Sequence, residues 1–581
     1  MARRTKDSAS SGVLRPLWRG LGPGHKAILI AVSLGNTAAA VTVVLPSVII
    51  GRIVSRLTGD SGARIGAMIW QLAGLLAAFV VLKVAVHISL HRVLPRVEAT
   101  LRQAQLERTL KTPVMDAGSD TQYADELNSL MGKGAKAGAD TVKIVFNDLM
   151  PAVMQALVAA VTAFTTQWQV GLILAASGLV STVITQLQLR SQGGVRVGLN
   201  LAKSRLDGVM TELLRGKAVI RTLDAADAES QRVGRRALEL SQVEVRHHKM
   251  MGWFDAAKNA TESAFSVVVL IVAAGFVAAG ANAGVVLTLY LLFMQFAAPL
   301  RDVHRIRDEL NEAVLQLAEV FRILALPLDA IFTRPASGVS LADASVAIEA
   351  VSVVYPDGHQ AVQAVSAEVP DGTYLGISGP AGCGKSTLIK AIVGILSPSA
   401  GRITIGGVDV MAMNIDQLAG VVAYVSQEPY VISGTIRDNL LLGQSQALTD
   451  DTLVGALDRV GLRDELVEHG GLDGVVGEDG QGLSGGQRQR LVLARSLLRS
   501  ARVIVLDEAT SALDNLNEEL FMRALENSDR TIIAIAHRLS TLRKADRIIV
   551  MRDGRIAQSG TYDSLDQSPG LFHDLLHAGE D

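Results

Sequence analysis

Six runs in the first 300 residues are apolar over lengths that suit a bilayer: Ala27–Ile50, Ala63–Ser89, Ile144–Phe164, Val170–Leu187, Phe265–Gly280 and Val285–Leu300. A transmembrane helix needs about 20 predominantly apolar residues. The links alternate in length. Thr165–Gln169 and Ala281–Gly284 are short, whereas His91–Val142 and Gln188–Met251 are long, polar and helix-like. The pattern predicts six membrane helices with short outer loops and long inner excursions. An arm of ~20 residues at ~1.5 Å per residue reaches roughly 30 Å beyond the bilayer. A soluble bundle of unusually apolar helices is the alternative, and six long runs behind a basic N-terminus outweigh it.

That N-terminus carries Arg3, Arg4, Lys6, Arg15, Arg19 and Lys26 against Asp7. The first apolar core is too long for a cleavable signal peptide. The charge excess therefore predicts a cytoplasmic N-terminus, and six spans return the C-terminus to the same side. Arg52 and Arg56 at the far end weaken the rule, and fit a helix that projects past the bilayer. Polar residues inside or beside the spans are expected to face protein or water rather than lipid. They are Asn147, Asp148, Pro151, Lys258, Glu262, Gln295 and Pro299. Asn147, Met154 and Val158 share one helical face. With Gln295, they are candidates for substrate contact, and the same face would serve equally as a helix seam.

The pattern changes after Leu326–Ala342, a stretch with Pro327 and Pro335 and little periodicity. It reads as a linker between a membrane domain, 1–325, and a second domain, 343–581. Val346–Tyr355 alternates and predicts an edge strand. Tyr374–Ile377, Val503–Leu506 and Thr531–Ile535 are short apolar runs of the kind that make buried strands. The expected fold class is an α-helical membrane domain with long cytoplasmic extensions, fused to an α/β P-loop domain with a helical subdomain.

Composition adds exclusions. The chain of 581 residues is 49% hydrophobic and 19% charged, with a net charge of −2, so nothing points to nucleic acid. Cys383 is the only cysteine, which excludes an internal disulfide and a cysteine metal site. His247 and His248 diverge as neighbours on a helix, and no acidic or cysteine cluster accompanies them.

The chemistry lies in the second half. Gly379–Thr387, GPAGCGKST, matches G-x-x-x-x-G-K-[ST] between a strand and an apolar-periodic helix. Its glycines let backbone N–H groups face phosphate oxygens, and the helix start adds its positive end. Lys385 is expected at the outer phosphates and Ser386 on magnesium. Val503–Leu506 ends in two acids, Asp507 and Glu508. Asp507 would complete the magnesium shell. Glu508, on the opposite face of an extended chain, would orient or deprotonate water. Leu483–Gln487, LSGGQ, opens a second helix with exposed N–H groups, which is another anion site. One domain has little use for two such sites on one nucleotide, so two copies placed head to tail are expected.

These motifs, LSGGQR above all, make the chain resemble a fused half-transporter of the ABC superfamily with the exporter-type fold. The resemblance implies ATP and Mg2+ as ligands and assigns roles by matching position. Tyr355 stacks on adenine. Gly379, Gly382, Gly384, Lys385, Ser386 and Thr387 form the phosphate loop. Gln427, in YVSQEP, senses magnesium and the attacking water. Ser484, Gly485, Gly486 and Gln487 grip nucleotide held by the other subunit. Asp507 is the magnesium-side carboxylate and Glu508 the base. Asp514 signals across the dimer, His537 contacts the terminal phosphate, and Gly477–Glu478 meets the membrane arms.

The resemblance also implies arm tips near Pro113–Thr121 and Thr222–Glu229, a bacterial inner-membrane location and lipid contact. The intact catalytic set fits a homodimer, and a related half-transporter remains an alternative partner. The almost purely apolar spans one, four and five suit a hydrophobic or amphipathic passenger: a lipid, a drug-like compound or a small peptide. Export by alternating access is the leading expectation. Import of metal–siderophore complexes and a non-transport regulatory ATPase stay open beside it.

Overall fold

A computed structural model describes residues 15–57, 65–113, 120–335, 341–355, 357–444, 446–510, 513–526, 529–536 and 539–577. Arg3, Arg4, Lys6, most of the first expected arm tip and His537 lie outside the described residues. Contacts divide the chain into two units, Met1–Thr109 with Thr121–Ala325, and Leu110–Asp120 with Leu326–Asp581.

The first unit is helical: α1 (Pro23–Leu57), α2 (Ile65–Leu110), α3 (Asp120–Lys143), α4 (Met150–Thr166), α5 (Trp168–Arg215), α6 (Lys217–Thr222), α7 (Ala226–Ala278) and α8 (Gly284–Leu324). Among the described residues, six helical stretches are long and apolar enough to cross a membrane. Four of the six expected spans fall wholly within them; Ala63–Ser89 starts two residues earlier, outside the described residues, and Phe265–Gly280 runs two residues past the end of its helix. The polar arms extend from the same helices. Only Gln167, extended at φ −151°, separates α4 from α5. The second arm tip is a short turn, in which α6 ends at Thr222, Asp224 adopts φ 52° and α7 starts at Ala226.

Between α3 and α4 the helix widens to a π turn at Ile144–Leu149. Pro151 follows and has no N–H to give the preceding turn, and the wider turn accommodates the loss. Asn36 on α1 uses this opening, with Nδ2 donating to the Phe146 carbonyl at 2.6 Å.

Several other polar residues of the spans are bonded to protein, as apolar surroundings favour. Gln155 Nε2 on α4 donates to Gln295 Oε1 on α8 at 2.8 Å. The buried Lys258 on α7 donates to Gln188 Oε1 on α5 at 2.7 Å, and Glu262 lies 3.5 Å from Arg301. Gln295 is therefore part of a seam between α4 and α8.

Small residues set the closest helix approach. A Cβ on Gly51 of α1 would overlap the Thr288 hydroxyl and crowd the Gly284 carbonyl oxygen at 2.7 Å. Without such glycines the two backbones could not meet.

The second unit holds two main sheets. One is antiparallel, ordered β2 (Gln360–Val369), β1 (Val346–Val354), β4 (Ala400–Ile405), β5 (Val408–Asp409). The expectation of an edge strand at Val346–Tyr355 is corrected here, because β1 pairs with β2 on one side and β4 on the other. Its alternation reflects burial of one face of the sheet, which a central antiparallel strand shows as well as an edge strand.

The other sheet runs β12 (Arg555–Gly560), β11 (Arg547–Arg552), β3 (Tyr374–Ser378), β10 (Thr531–Ile535), β9 (Val503–Asp507), β6 (Val422–Val425). All its pairings are parallel except β11 with β12. Strands β9 and β10 are buried at every position, as both-sided covering demands. A small ribbon of β7 (Gly434–Thr435) and β8 (Val475–Val476) and several short helices pack on one side.

Because Gly51 has no room for a side chain, Gly51→Val should weaken the α1–α8 pair by about 1–3 kcal/mol. The melting temperature of the detergent-purified protein should fall, and Gly51→Ala should fall less. An unchanged melting temperature in Gly51→Val would contradict this packing.

Candidate active site

Ligands of open parallel sheets bind beyond the carboxyl ends of the strands. Here those ends bring together segments far apart in sequence. The phosphate loop leaves β3, Asp507 closes β9 between β10 and β6, and Gln427 follows β6. His537 follows β10 in sequence, outside the described residues.

The loop folds as its glycines require. Gly379 has φ 145° and Gly384 φ 100°, in the region that side chains rarely adopt. A Cβ on Gly379 would strike the Met551 carbonyl oxygen, and one on Gly384 that of Ala361. Gly382, at φ 75°, faces open space. Gly384 caps the helix Lys385–Ile392, whose first amides lack intrahelical acceptors and point to where an anion would sit. Lys385 is buried, its Nζ donating to the carbonyls of Gly379 (2.8 Å) and Pro380 (2.9 Å). Its charge is thus held over the loop by neutral acceptors that phosphate oxygens would outcompete.

Ser386 Oγ donates to Asp507 Oδ1 at 3.1 Å, so two of the three residues expected at magnesium meet. Tyr424, three residues before Gln427 on β6, donates to Asp507 Oδ2 at 3.4 Å. A hydroxyl and a carboxylate are hard oxygen donors of the kind Mg2+ prefers. The residues present therefore fit the ion, with Ser386 and Asp507 as the protein ligands. Burial pushes the Asp507 carboxyl above its ordinary value, and the neighbouring Glu508 charge pushes the same way against the Ser386 hydrogen bond.

Glu508 does not continue the strand. Strand β9 ends at Asp507, and Glu508 adopts φ 51°. Strand alternation is therefore not what separates the two acids, as the sequence had suggested; a left-handed turn does it. Such a conformation is costly for a non-glycine residue and tends to occur at functional sites. Gln427 Nε2 donates to Glu508 Oε2 at 2.8 Å. Tyr355 also arrives here: its hydroxyl lies 3.0 Å from Thr387 Oγ1 and its ring stacks on His359.

The LSGGQ segment forms a separate site. Ser484 caps the helix Gly485–Leu498 in a reciprocal box, with Ser484 Oγ accepting from Gln487 N at 3.2 Å and Gln487 Oε1 accepting from Ser484 N at 2.8 Å. Gly485 and Gly486, the first helical residues, keep amides without intrahelical acceptors. Asp514 caps the next segment, its Oδ1 accepting from Asn517 N at 2.8 Å. Gly477 and Glu478 sit in a tight turn with Asp479 at φ 53°. Cys383 is buried inside the phosphate loop.

Sequence reasoning missed Tyr424 and Glu465. Glu465 accepts from Gln487 and from Arg490. Arg490 holds its carboxyl below the usual carboxylate range, helped by Gln487. No local signal marks either residue, because each reaches its partner across the fold.

Comparison with known proteins agrees with this geometry. Residues 362–511 match the family described as "ABC transporter", and residues 29–300 that described as "ABC transporter transmembrane region". The lactococcin transport/processing ATP-binding protein LcnC-like of Lactococcus lactis is 32% identical over 51% of this chain and 41% of its own length. The ABC multidrug transporter MDR2 of Trichophyton equinum is 43% identical over 35% of this chain and 16% of its length. This chain therefore spans less than half the length of these relatives. The beta-(1→2)glucan export ATP-binding/permease protein NdvA of Brucella melitensis is 28% identical over 72% of this chain and 70% of its own length. A bacterial Atm1-family ABC exporter solved with ATP bound superposes over 96% of this chain with a TM-score of 0.81 at 20% identity, which shows a shared fold.

The raised Asp507 carboxyl has a testable sign. Its contribution to stability is present below the unfolded value of ~3.9 and is lost as pH rises through the higher folded value. Asp507→Asn should therefore raise the melting temperature of the nucleotide-free protein at pH 8. The gain should shrink toward pH 4. A melting temperature at pH 8 equal to or below that of the unsubstituted protein would contradict it.

Proposed function

Since the chain belongs to the ABC transporter superfamily, we propose that it is an ATP-driven exporter of a hydrophobic or amphipathic molecule, working by alternating access as a dimer. What supports this most is the convergence of Lys385, Ser386, Asp507, Glu508 and Gln427 at the carboxyl ends of one sheet, with six membrane-length helices among the described residues.

In this reading two copies associate head to tail. The phosphate loop of one copy holds the nucleotide and the Ser484–Gln487 segment of the other closes over it, its free amides meeting the outer phosphates. Tyr355 packs against the adenine. Lys385 neutralises the outer phosphates, while magnesium, on Ser386 and Asp507, supplies further charge stabilisation to the phosphoryl group. Glu508 takes the proton of a water that Gln427 helps to aim, and His537 contacts the terminal phosphate.

Closure of the two copies is relayed through the arm tips and opens the membrane half outward. Loss of the terminal phosphate lets it reset. Asn147, Met154, Val158 and Gln295 contact the passenger in one of the two states. The protein sits in a bacterial inner membrane with both termini and the ATPase domain in the cytoplasm, and two copies of this chain suffice.

The decisive test is transport in proteoliposomes with the ATPase side outward. A fluorescent phospholipid, a cationic amphipathic dye and an amphipathic peptide serve as probes. At least one should accumulate in or move toward the lumen on adding Mg–ATP, by several-fold over the Lys385→Ala protein. ATP-driven loss from the lumen would mean import. ATP hydrolysis with no movement of any probe in either direction would contradict export of this substrate class.

A further inference from the structure

The helix Gly485–Leu498, opened by the LSGGQ signature segment, is gripped from behind. Glu465 lies on the short helix Arg463–Val467, 22 residues before Gln487. Its Oε2 accepts from Gln487 Nε2 at 2.9 Å and from Arg490 Nη2 at 2.8 Å. Its Oε1 lies 2.7 Å from Arg490 Nη1. The Arg490 side chain is 8% exposed, and Nη1 also donates to the Gly461 carbonyl at 2.7 Å.

A buried guanidinium of this kind, bidentate to one carboxylate and tied to a backbone oxygen, has little freedom left. Gln487 is constrained at both ends as well. Its Oε1 caps Ser484 N while its Nε2 is tied to Glu465. That second bond selects one orientation of the amide, and so decides that the oxygen faces Ser484. With the amide reversed, an N–H would face an N–H and the capping box would be lost. The first helical turn would fray, taking with it the fixed direction of the Gly485 and Gly486 amides.

We propose that Glu465 is a positioning residue for the shared nucleotide site, holding Gln487 and Arg490 so that the signature presents its amides in one orientation to ATP bound by a second copy. This rests on the head-to-tail dimer of the preceding section. Glu465 itself touches no nucleotide. Its effect falls on closure of the dimer over ATP, and the phosphate loop of its own chain, fed by β3, keeps its affinity.

The test uses the full chain carrying Glu508→Gln, which removes the base so that closed, ATP-loaded dimers persist. Two quantities are read against ATP concentration: photolabelling by 8-azido-ATP on ice, which reports the open phosphate loop, and ATP retained through gel filtration after warming, which reports closure. Adding Glu465→Ala should raise the ATP concentration for half-maximal retention about 5- to 10-fold and leave photolabelling within about twofold. Glu465→Gln, which keeps the shape and one acceptor, should shift retention less. Its melting temperature guards against simple misfolding.

Ser484→Arg serves as the control for the dimer. It should abolish retention and spare photolabelling. If Ser484→Arg retains ATP normally, the head-to-tail reading fails and the role of Glu465 falls with it. If Ser484→Arg abolishes retention while both Glu465 variants retain ATP as before, the role of Glu465 alone is overturned. Photolabelling, retention and melting temperature falling together in both Glu465 variants would show ordinary structural damage, and would also overturn it.

Discussion

A carboxylate buried at the end of a buried strand is expensive, and Asp507 sits in that position. The second unit offers it two hydroxyls, from Ser386 and Tyr424, and no cation at salt-bridge distance among the described residues. These hydroxyls and the more distant Lys390 charge lower the carboxyl's proton affinity, but burial outweighs them and raises it. A divalent cation held by Ser386 and Asp507 would offset the imbalance.

The sheet makes that arrangement possible. Parallel order places β3, β10, β9 and β6 with their carboxyl ends on one edge. The loops after β3, β9 and β6, far apart in sequence, then bring Ser386 to Asp507 and Gln427 to Glu508 within hydrogen-bond distance. The left-handed turn at Glu508 adds the second requirement, since neighbouring acids must serve different partners. Asp507 accepts from Ser386, and Glu508 accepts from Gln427. The conformational cost of that turn is offset by the rigid, wholly buried strand before it.

Much of this was legible in the sequence where the information is contiguous. Gly379–Thr387 carries its own glycine geometry, and the apolar runs fix six helices because the period and length of a bilayer span are local properties. The helix start at LSGGQ was equally local, though the capping box between Ser484 and Gln487 went unread. What could not be read depends on pairing across the chain. The central place of β1 is set by its neighbours, not by its alternation. Tyr424 faces Asp507 only because β6 lies beside β9. Glu465 reaches Gln487 through a helix that has no motif. The left-handed turn at Glu508 is invisible in a sequence where Asp-Glu reads as the end of an extended strand. Gln427 was legible only through the family resemblance.

The central claim is that Asp507 and Glu508 divide the labour, one holding metal and the other taking a proton from water. Phosphate release by Glu508→Gln at saturating Mg–ATP tests it most directly, with bound nucleotide measured on the same purified protein. The side chain keeps its size, and Lys385, Ser386 and Asp507 are untouched. Hydrolysis should fall by roughly 10²–10⁴-fold, the usual worth of a positioned general base, while ATP stays bound. Hydrolysis near the unsubstituted rate would place the base elsewhere and contradict the division.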